Sequence, residues 1–166
     1  MRRYIPYAIV VLIVSGSFAL TSNQGSGPNA ATRTIVNVTD GNSAHLTENG
    51  SDIRISNVLF VATEDGSAVL VAHIVNRSET PDELVLVSSG TARAELTGQT
   101  VLRTNTPLHF EGEQANAKAV FIDGGAVPGN FSSVTFSFAN AGRVTIQAKI
   151  VANTDIYEGV IAKASL

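Results

Sequence analysis

Three histidines, His45, His73 and His109, are the side chains in this sequence best suited to hold a borderline metal ion such as Cu(II) or Zn. They sit in separate segments with no short ligand spacing between them. The favoured reading is therefore of surface or edge histidines on different strands. No metal or cofactor is expected, and His73 and His109 stand only as residual metal candidates. His73 shares its parity with Val69, Val71 and Val75, which points to a partly buried face and a structural hydrogen bond. There is no Cys, and the single Met is Met1. Disulfides, thiol catalysis and thiolate metal sites are excluded.

The acidic groups Glu64/Asp65, Glu79/Asp82/Glu83 and Glu111/Glu113 could ligate Ca²⁺ or act as paired carboxylates. All fall at expected turns, no Asp-x-Asp-x-Asp-Gly loop exists, and ordinary solvated carboxylates are the simpler reading. No Gly-x-Ser-x-Gly elbow is present. Gly41, Gly124 and Gly125 are not followed by helices and form no phosphate loop. Asn37, Asn49, Asn76 and Asn130 each begin an Asn-x-Ser/Thr triplet, which in an exported chain rich in these residues is a matter of composition. The chain is not expected to be an enzyme.

These residues must be carried by a folded scaffold, and the composition supplies one. Apolar residues make up 44% of the 166 and charged residues only 15%, so a single domain can bury a substantial core. Trp is absent and Phe and Tyr are few, so Val, Ile, Leu, Ala and Phe must build the interior. The formal charge is −3; without Arg2 and Arg3 of the leader, 9 basic residues face 14 acidic ones, or −5. Such a balance argues against nucleic acid as a partner and offers no polybasic patch for anionic lipid.

Residues 1–22 read as a signal peptide or an N-terminal anchor. Met1-Arg2-Arg3 precedes an uncharged run, IPYAIVVLIVSGSFAL, short for a membrane span and ending in a small-x-small signal at Ser17-Phe18-Ala19. Leu20-Thr21-Ser22-Asn23 resembles a lipoprotein processing box with Asn23 in place of the acylated Cys. Residues 23–50 read as a flexible linker with a possible first strand at 33–38, and 51–166 as the folded domain. Contact with the membrane is expected only through an uncleaved leader.

The body alternates strand and turn. Expected strands are 52–62, 67–76, 83–87, 92–96, 101–103, 107–110, 117–122, 132–138 and 143–150, with turns at Thr39-Asp40-Gly41-Asn42, Glu64-Asp65-Gly66 and 77–82 and a Gly/Pro-rich loop at 123–130. Segment 67–76 is apolar on both parities, as for a central strand covered on both faces. Val134, Phe136 and Phe138 share one face, as do Val144, Ile146, Ala148 and Ile150, and Ala139-Asn140-Ala141-Gly142 should join the two strands as a hairpin. Ile156 and Tyr157 are expected to add a last short strand or to pack on an edge. No long amphipathic helix follows the leader. The expected fold is all-β: a single antiparallel β-sandwich, Ig/cupredoxin-like with Greek-key connections.

Two blocks, AVLVAHIVNRSETPDELVLVSS (68–89) and VPGNFSSVTFSFANAGRVTIQAKI (127–150), resemble the PCu(A)C periplasmic copper chaperones. They are similar still more closely to the LpqE-like exported lipoproteins of actinobacteria, which share that scaffold and the Asp-Gly turn and Val-Pro-Gly segment seen here at Asp65-Gly66 and Val127-Pro128-Gly129. The likeness spans roughly residues 52–151. It implies the fold, and it implies that a copper site would need His and Met at four positions. Where the family carries its two His-x-Met motifs, this chain has Ala92-Arg93-Ala94-Glu95-Leu96-Thr97 and Asn116-Ala117-Lys118. With no Met beyond the leader, no family-type site can form.

The expectation is thus an exported, non-enzymatic cell-envelope module, secreted or held at the outer face of the cytoplasmic membrane, with an envelope protein, glycan or lipid as partner. The alternative is a copper metallochaperone relative with a non-standard site; a hydrolase with a cryptic site stands third. Candidate binding loops are 62–66, 76–82 and 123–130, with Asp65, Gly66, Asn76, Pro81, Asp82, Pro128 and Asn130 as their marked residues.

Overall fold

A computed structural model describes residues 40–122 and 124–162, all within the unit Thr39–Leu166. The leader, the cleavage signal, the linker through residue 39, the strand expected at 33–38, and Asp123 lie outside the described residues.

The described chain is all-β. Its strands are β1 (Asn42–Leu46), β2 (Ile53–Ala62), β3 (Ala68–Asn76), β4 (Asp82–Ser89), β5 (Ala92–Arg93), β6 (Glu95–Gly98), β7 (Val101–Leu102), β8 (Leu108–His109), β9 (Ala117–Phe121), β10 (Phe131–Phe138) and β11 (Arg143–Ala152). Single 3-10 turns occur at Glu48–Gly50 and Asp155–Tyr157, and no described helix is long and apolar enough to cross a membrane. β1 begins inside the segment expected to be linker and pairs with β2.

The main sheet path runs β5-β4-β10-β11-β2-β3-β9-β6, with β1 on β2, β7 on β4 and β8 on β3. Its two ends, β5 and β6, are separated in sequence by Ala94 alone. The expected strand 92–96 is therefore two strands, and Ala94, whose N–H donates to the Val87 carbonyl at 2.9 Å, carries the chain from one edge of the path to the other. That connection curls the sheet almost closed around one core. All the named ladders are antiparallel except β2 with β11, whose parallel register pairs Phe60 with Ile150. The expectation of a purely antiparallel sheet fails at that ladder: β11 already has β10 as its hairpin partner, and its free edge meets β2 running the same way.

The interior collects alternate residues of nearly every strand, among them Ile55, Phe60, Leu70, Ile74, Leu84, Leu102, Leu108, Phe121, Val134, Phe136 and Ala148. Each fully buried aliphatic or Phe side chain contributes about 1.5–3 kcal/mol of transfer free energy. The β10–β11 hairpin forms as its alternation predicts, pairing Val134 with Ile146 and Phe136 with Val144.

β2 explains its own mixed pattern. Ser56 pairs with His73 and Leu59 with Val71, so Asn57 and Val58 oppose a single residue in a β-bulge. Asn57 takes φ 54° there. The bulge switches parity: Ile53 and Ile55 face the core before it, Val58, Phe60 and Ala62 after it. Leu59 and Val61 are thereby sent to the opposite face, where they form a second cluster with Val71, covered by Val151, Tyr157 and Val160. Gly41 lies so close to the bulge that a Cβ there would stand 2.3 Å from the Asn57 carbonyl carbon, a distance no side chain tolerates. This is why β3 is covered on both faces, as its sequence predicts.

Candidate functional site

His73 projects from β3 on the face that carries Val71, opposite the main core. β8 is only two residues long, but its register sets Leu108 opposite Ile74 and His109 opposite His73. Leu108 enters the core and His109 therefore comes out beside His73. The two rings meet edge-on, with centroids 4.7 Å apart at 88° and Nδ1 to Nδ1 at 2.8 Å. Separated widely in sequence, the two residual metal candidates are in direct contact.

His109 is held from both sides. Its backbone N–H donates to Asn116 Oδ1 at 2.9 Å and its carbonyl accepts from the Asn116 N–H at 3.0 Å, while Asn116 Nδ2 donates to the Pro107 carbonyl at 3.0 Å. The Phe110 N–H adds a bond to the Ala72 carbonyl at 3.0 Å. The loop between Phe110 and Asn116 is thus closed at its base, and Glu111 forms an ion pair with the largely buried Lys118 at 3.2 Å.

The pair lies along the floor of a cleft of about 690 Å³. One wall is the loop of Glu111, Glu113 and Gln114; the other is the C-terminal turn around Tyr157 and Glu158. Tyr157 packs on the second cluster, and its hydroxyl donates to Asp40 Oδ2 at 3.2 Å. Burial, with the Asp40 carboxylate beside it, raises the Tyr157 phenol above its ordinary value, so it stays neutral at physiological pH. Burial, then the neighbouring His109, lowers His73 below the ordinary histidine value, which favours the neutral imidazole. Among the described residues no group of three or more His, Cys, Asp or Glu could hold a metal ion.

Of the acidic groups singled out in sequence, Glu111 and Glu113 line this same cleft, and the remaining sequence candidates lie elsewhere. His45 is exposed on β1 and pairs with Asp52 at 2.7 Å, which lowers the Asp52 carboxyl below its usual range. Asp65 accepts from the Thr63 hydroxyl at 2.6 Å and from the Ser67 N–H at 3.1 Å, closing the turn in which Gly66 has φ 80°. Asn76 is fully buried: its Nδ2 donates to the carbonyls of Thr80 and Leu102 and its Oδ1 accepts from the Ser78 N–H and hydroxyl. Asp82 is 7% exposed and accepts from the N–H groups of Glu83, Asn140 and Ala141, tying β4 to the β10–β11 turn. Pro81, Pro128 and Asn130 are exposed. None of these loop residues lines the cleft. Asp65, Asn76 and Asp82 thus use their polar groups to hold turns and strand ends together. The C-terminal wall is marked in the sequence only by the expectation that Ile156 and Tyr157 would add a last short strand or pack on an edge; Tyr157 instead sits in a 3-10 turn over the outer-face cluster of Leu59, Val61 and Val71.

This strand order and nearly closed sheet define a PCuAC-type β-fold, and solved structures of that class match. The apo PCuAC domain from PmoF1 aligns at a TM-score of 0.56 and 22% identity, over 67% of this chain and 99% of that one. The copper-bound PCuAC domain from PmoF2 aligns at 0.54 and 20%, over 67% and 98%, and the apo PmoF2 domain at 0.55 and 21%, over 68% and 96%. At these identities the likeness establishes the fold. No protein-family model and no curated protein matches the chain.

The segments that the resemblance aligns with the family's ligands do come together, since β6 pairs with β9 and sets Thr97 opposite Lys118. Their donor chemistry does not match the family's His and Met: Ala, Arg, Glu, Leu, Thr, Asn and an ion-paired Lys stand there, with neither imidazole nor thioether. The imidazole pair on β3 and β8 does offer suitable donors.

Proposed function

We propose that this chain is an exported, non-enzymatic envelope domain that binds a metal ion, copper foremost, through His73 and His109. The observation that carries the proposal is the direct Nδ1 contact of two half-buried imidazoles at the floor of an open cleft. Copper is favoured over other ions because the solved domains that share this fold include a copper-bound one and because imidazole is a good copper donor. The LpqE-like resemblance, the leader that would export the chain, and a two-layered, sandwich-like packing of the curled sheet belong to the same proposal.

Equilibrium dialysis of the protein against cuprous and cupric ions tests it. The expected result is one bound ion per chain with a dissociation constant of about micromolar or tighter, lost in the His73→Ala/His109→Ala double variant and kept in His45→Ala. Undiminished binding by the double variant, or none by the parent, refutes the proposal.

A further inference from the structure

The β10–β11 hairpin gives its apolar residues to the core and keeps a polar row on its outer side. Register sets Ser133 beside Gln147, Thr135 beside Thr145 and Ser137 beside Arg143, while Val134, Phe136, Ile146 and Ala148 take the core side. The neighbouring strands extend this face: Thr135 pairs with Ser88 of β4, and Ser88 with Arg93 of β5. Cross-strand bonds hold the side chains in place, with Thr135 Oγ1 and Thr145 Oγ1 2.8 Å apart and Gln147 Nε2 donating to Ser133 Oγ at 2.7 Å. A hydroxyl both donates and accepts, so each keeps capacity to spare after one such bond. Groups already held in place lose little freedom when a ligand arrives.

The charge of this face is one-sided. Neither β10 nor β11 contains Asp or Glu. Arg143 and Lys149 stand at opposite ends of the outer row of β11, about 20 Å apart, and Arg93 lies on the rung that runs through Ser88 and Thr135. All three are exposed, and the ion pairs among the described residues, His45–Asp52, Arg54–Asp52 and Glu111–Lys118, use none of them. The two acids of β4 are engaged elsewhere: Asp82 with the β10–β11 turn, and Glu83 with the Thr100 hydroxyl at 3.2 Å. Phe131, 64% exposed, stands opposite Lys149 and adds an apolar plate.

We propose that this face docks an acidic polysaccharide whose sugars carry carboxylates at intervals. Dispersed cations among hydroxyl and amide groups match a chain that is mostly hydroxyl and sparsely charged. A nucleic acid or polyphosphate is charged every few ångströms and would leave most of its charge unmatched. An anionic bilayer is held by clustered Lys and Arg, and the cations here are spread out. The guanidinium forks of Arg93 and Arg143 suit carboxylates, which they can take in two parallel bonds. Ser, Thr and Gln meet sugar hydroxyls as donors and as acceptors, and the Phe131 ring can cover the apolar C–H face of a sugar. The surface is separate from the histidine cleft, since β3 and β8 pair with neither β10 nor β11.

The test titrates the full chain, labelled with 15N, with a hyaluronan oligosaccharide, whose alternate sugars carry a carboxylate, and follows the backbone amides. The expected result is a dissociation constant below about 1 mM, shifts concentrated on β10 and β11, and binding that weakens as salt is raised. Arg93→Ala/Arg143→Ala/Lys149→Ala removes exposed side chains only and should bind at least about tenfold more weakly with its amide spectrum otherwise intact. Thr135→Val/Thr145→Val keeps the shape, removes the hydroxyl pair and should weaken binding about threefold. His73→Ala/His109→Ala should bind the oligosaccharide as the parent does, which separates this surface from the metal reading. No binding by the parent, or undiminished binding by the triple variant, overturns the proposal. So does equal or tighter binding of inorganic polyphosphate, of phosphatidylglycerol vesicles or of neutral dextran, which would mean a denser polyanion, a lipid surface or a charge-independent contact.

Discussion

Two polar centres of this domain look alike in sequence and differ in what they have left to give. Asp82 and Asn76 are buried at the ends of β4 and β3, and their side-chain acceptors and donors are engaged with backbone and hydroxyl groups. His73 and His109 are half-buried on the outer face of the same sheet, bonded to each other, and open to a cleft. A buried polar group whose bonding capacity is spent holds structure and can bind nothing more. A pair that shares one proton between two nitrogens, beside solvent, keeps lone pairs that a cation can claim. Polarity by itself does not mark a binding site; unspent bonding capacity at an accessible surface does.

The comparison breaks most visibly at Asp82. Asp82→Ala leaves the N–H groups of Asn140 and Ala141 without their acceptor and should cost about 4 kcal/mol, read from the urea midpoint. A loss below about 1 kcal/mol would mean that Asp82 is not a clamp. Next, Leu59→Ala opens the second cluster and should cost about 3 kcal/mol. Its signature is local: amide exchange should quicken around Tyr157 and Val160, while β10 and β11 stay protected.

Asn116 stands between the two centres, since its bonds are structural but their object is His109. Asn116→Ala should cost about 1–2 kcal/mol and weaken copper binding about tenfold, as loss of an orienting partner does. Asn116→Asp keeps the acceptor for the His109 N–H and should recover part of the affinity, which a merely structural role would not require. The smallest effect is acid sensitivity. His73 has its folded pKa below the unfolded value of about 6.5. Its contribution is therefore fully present above pH 6.5 or so and is lost as pH falls through the lower, folded value. The urea midpoint of the parent should drop between pH 7 and 5 more than that of His73→Gln. Equal drops would remove His73 from the acid response.

Much of the scaffold was legible because alternation is a local signal. The hairpin of β10 and β11 and the doubly covered β3 follow from which positions are apolar. The split of 92–96 into β5 and β6 was not legible, because both pieces are short and the edge-to-edge crossing at Ala94 depends on long-range pairing. The bulge at Asn57 hides in the same way: LFVA reads as continuous burial, and only the partner strand tells Leu59 and Val61 from Phe60. The site was the least legible part. His73 and His109 meet through a two-residue strand, and no spacing rule anticipates that register. Asp65, Asn76 and Asp82 drew attention because turns are where such residues cluster, and in the structure they bond backbone groups that the turns leave exposed.

The most direct measurement is X-ray absorption at the copper edge on the cuprous-loaded protein. Two nitrogen scatterers at about 1.9–2.1 Å with imidazole multiple scattering, absent from the His73→Ala/His109→Ala variant, is the expected result. A first shell containing sulfur, or a spectrum unchanged by that double substitution, would contradict the assignment of this pair as the binding site.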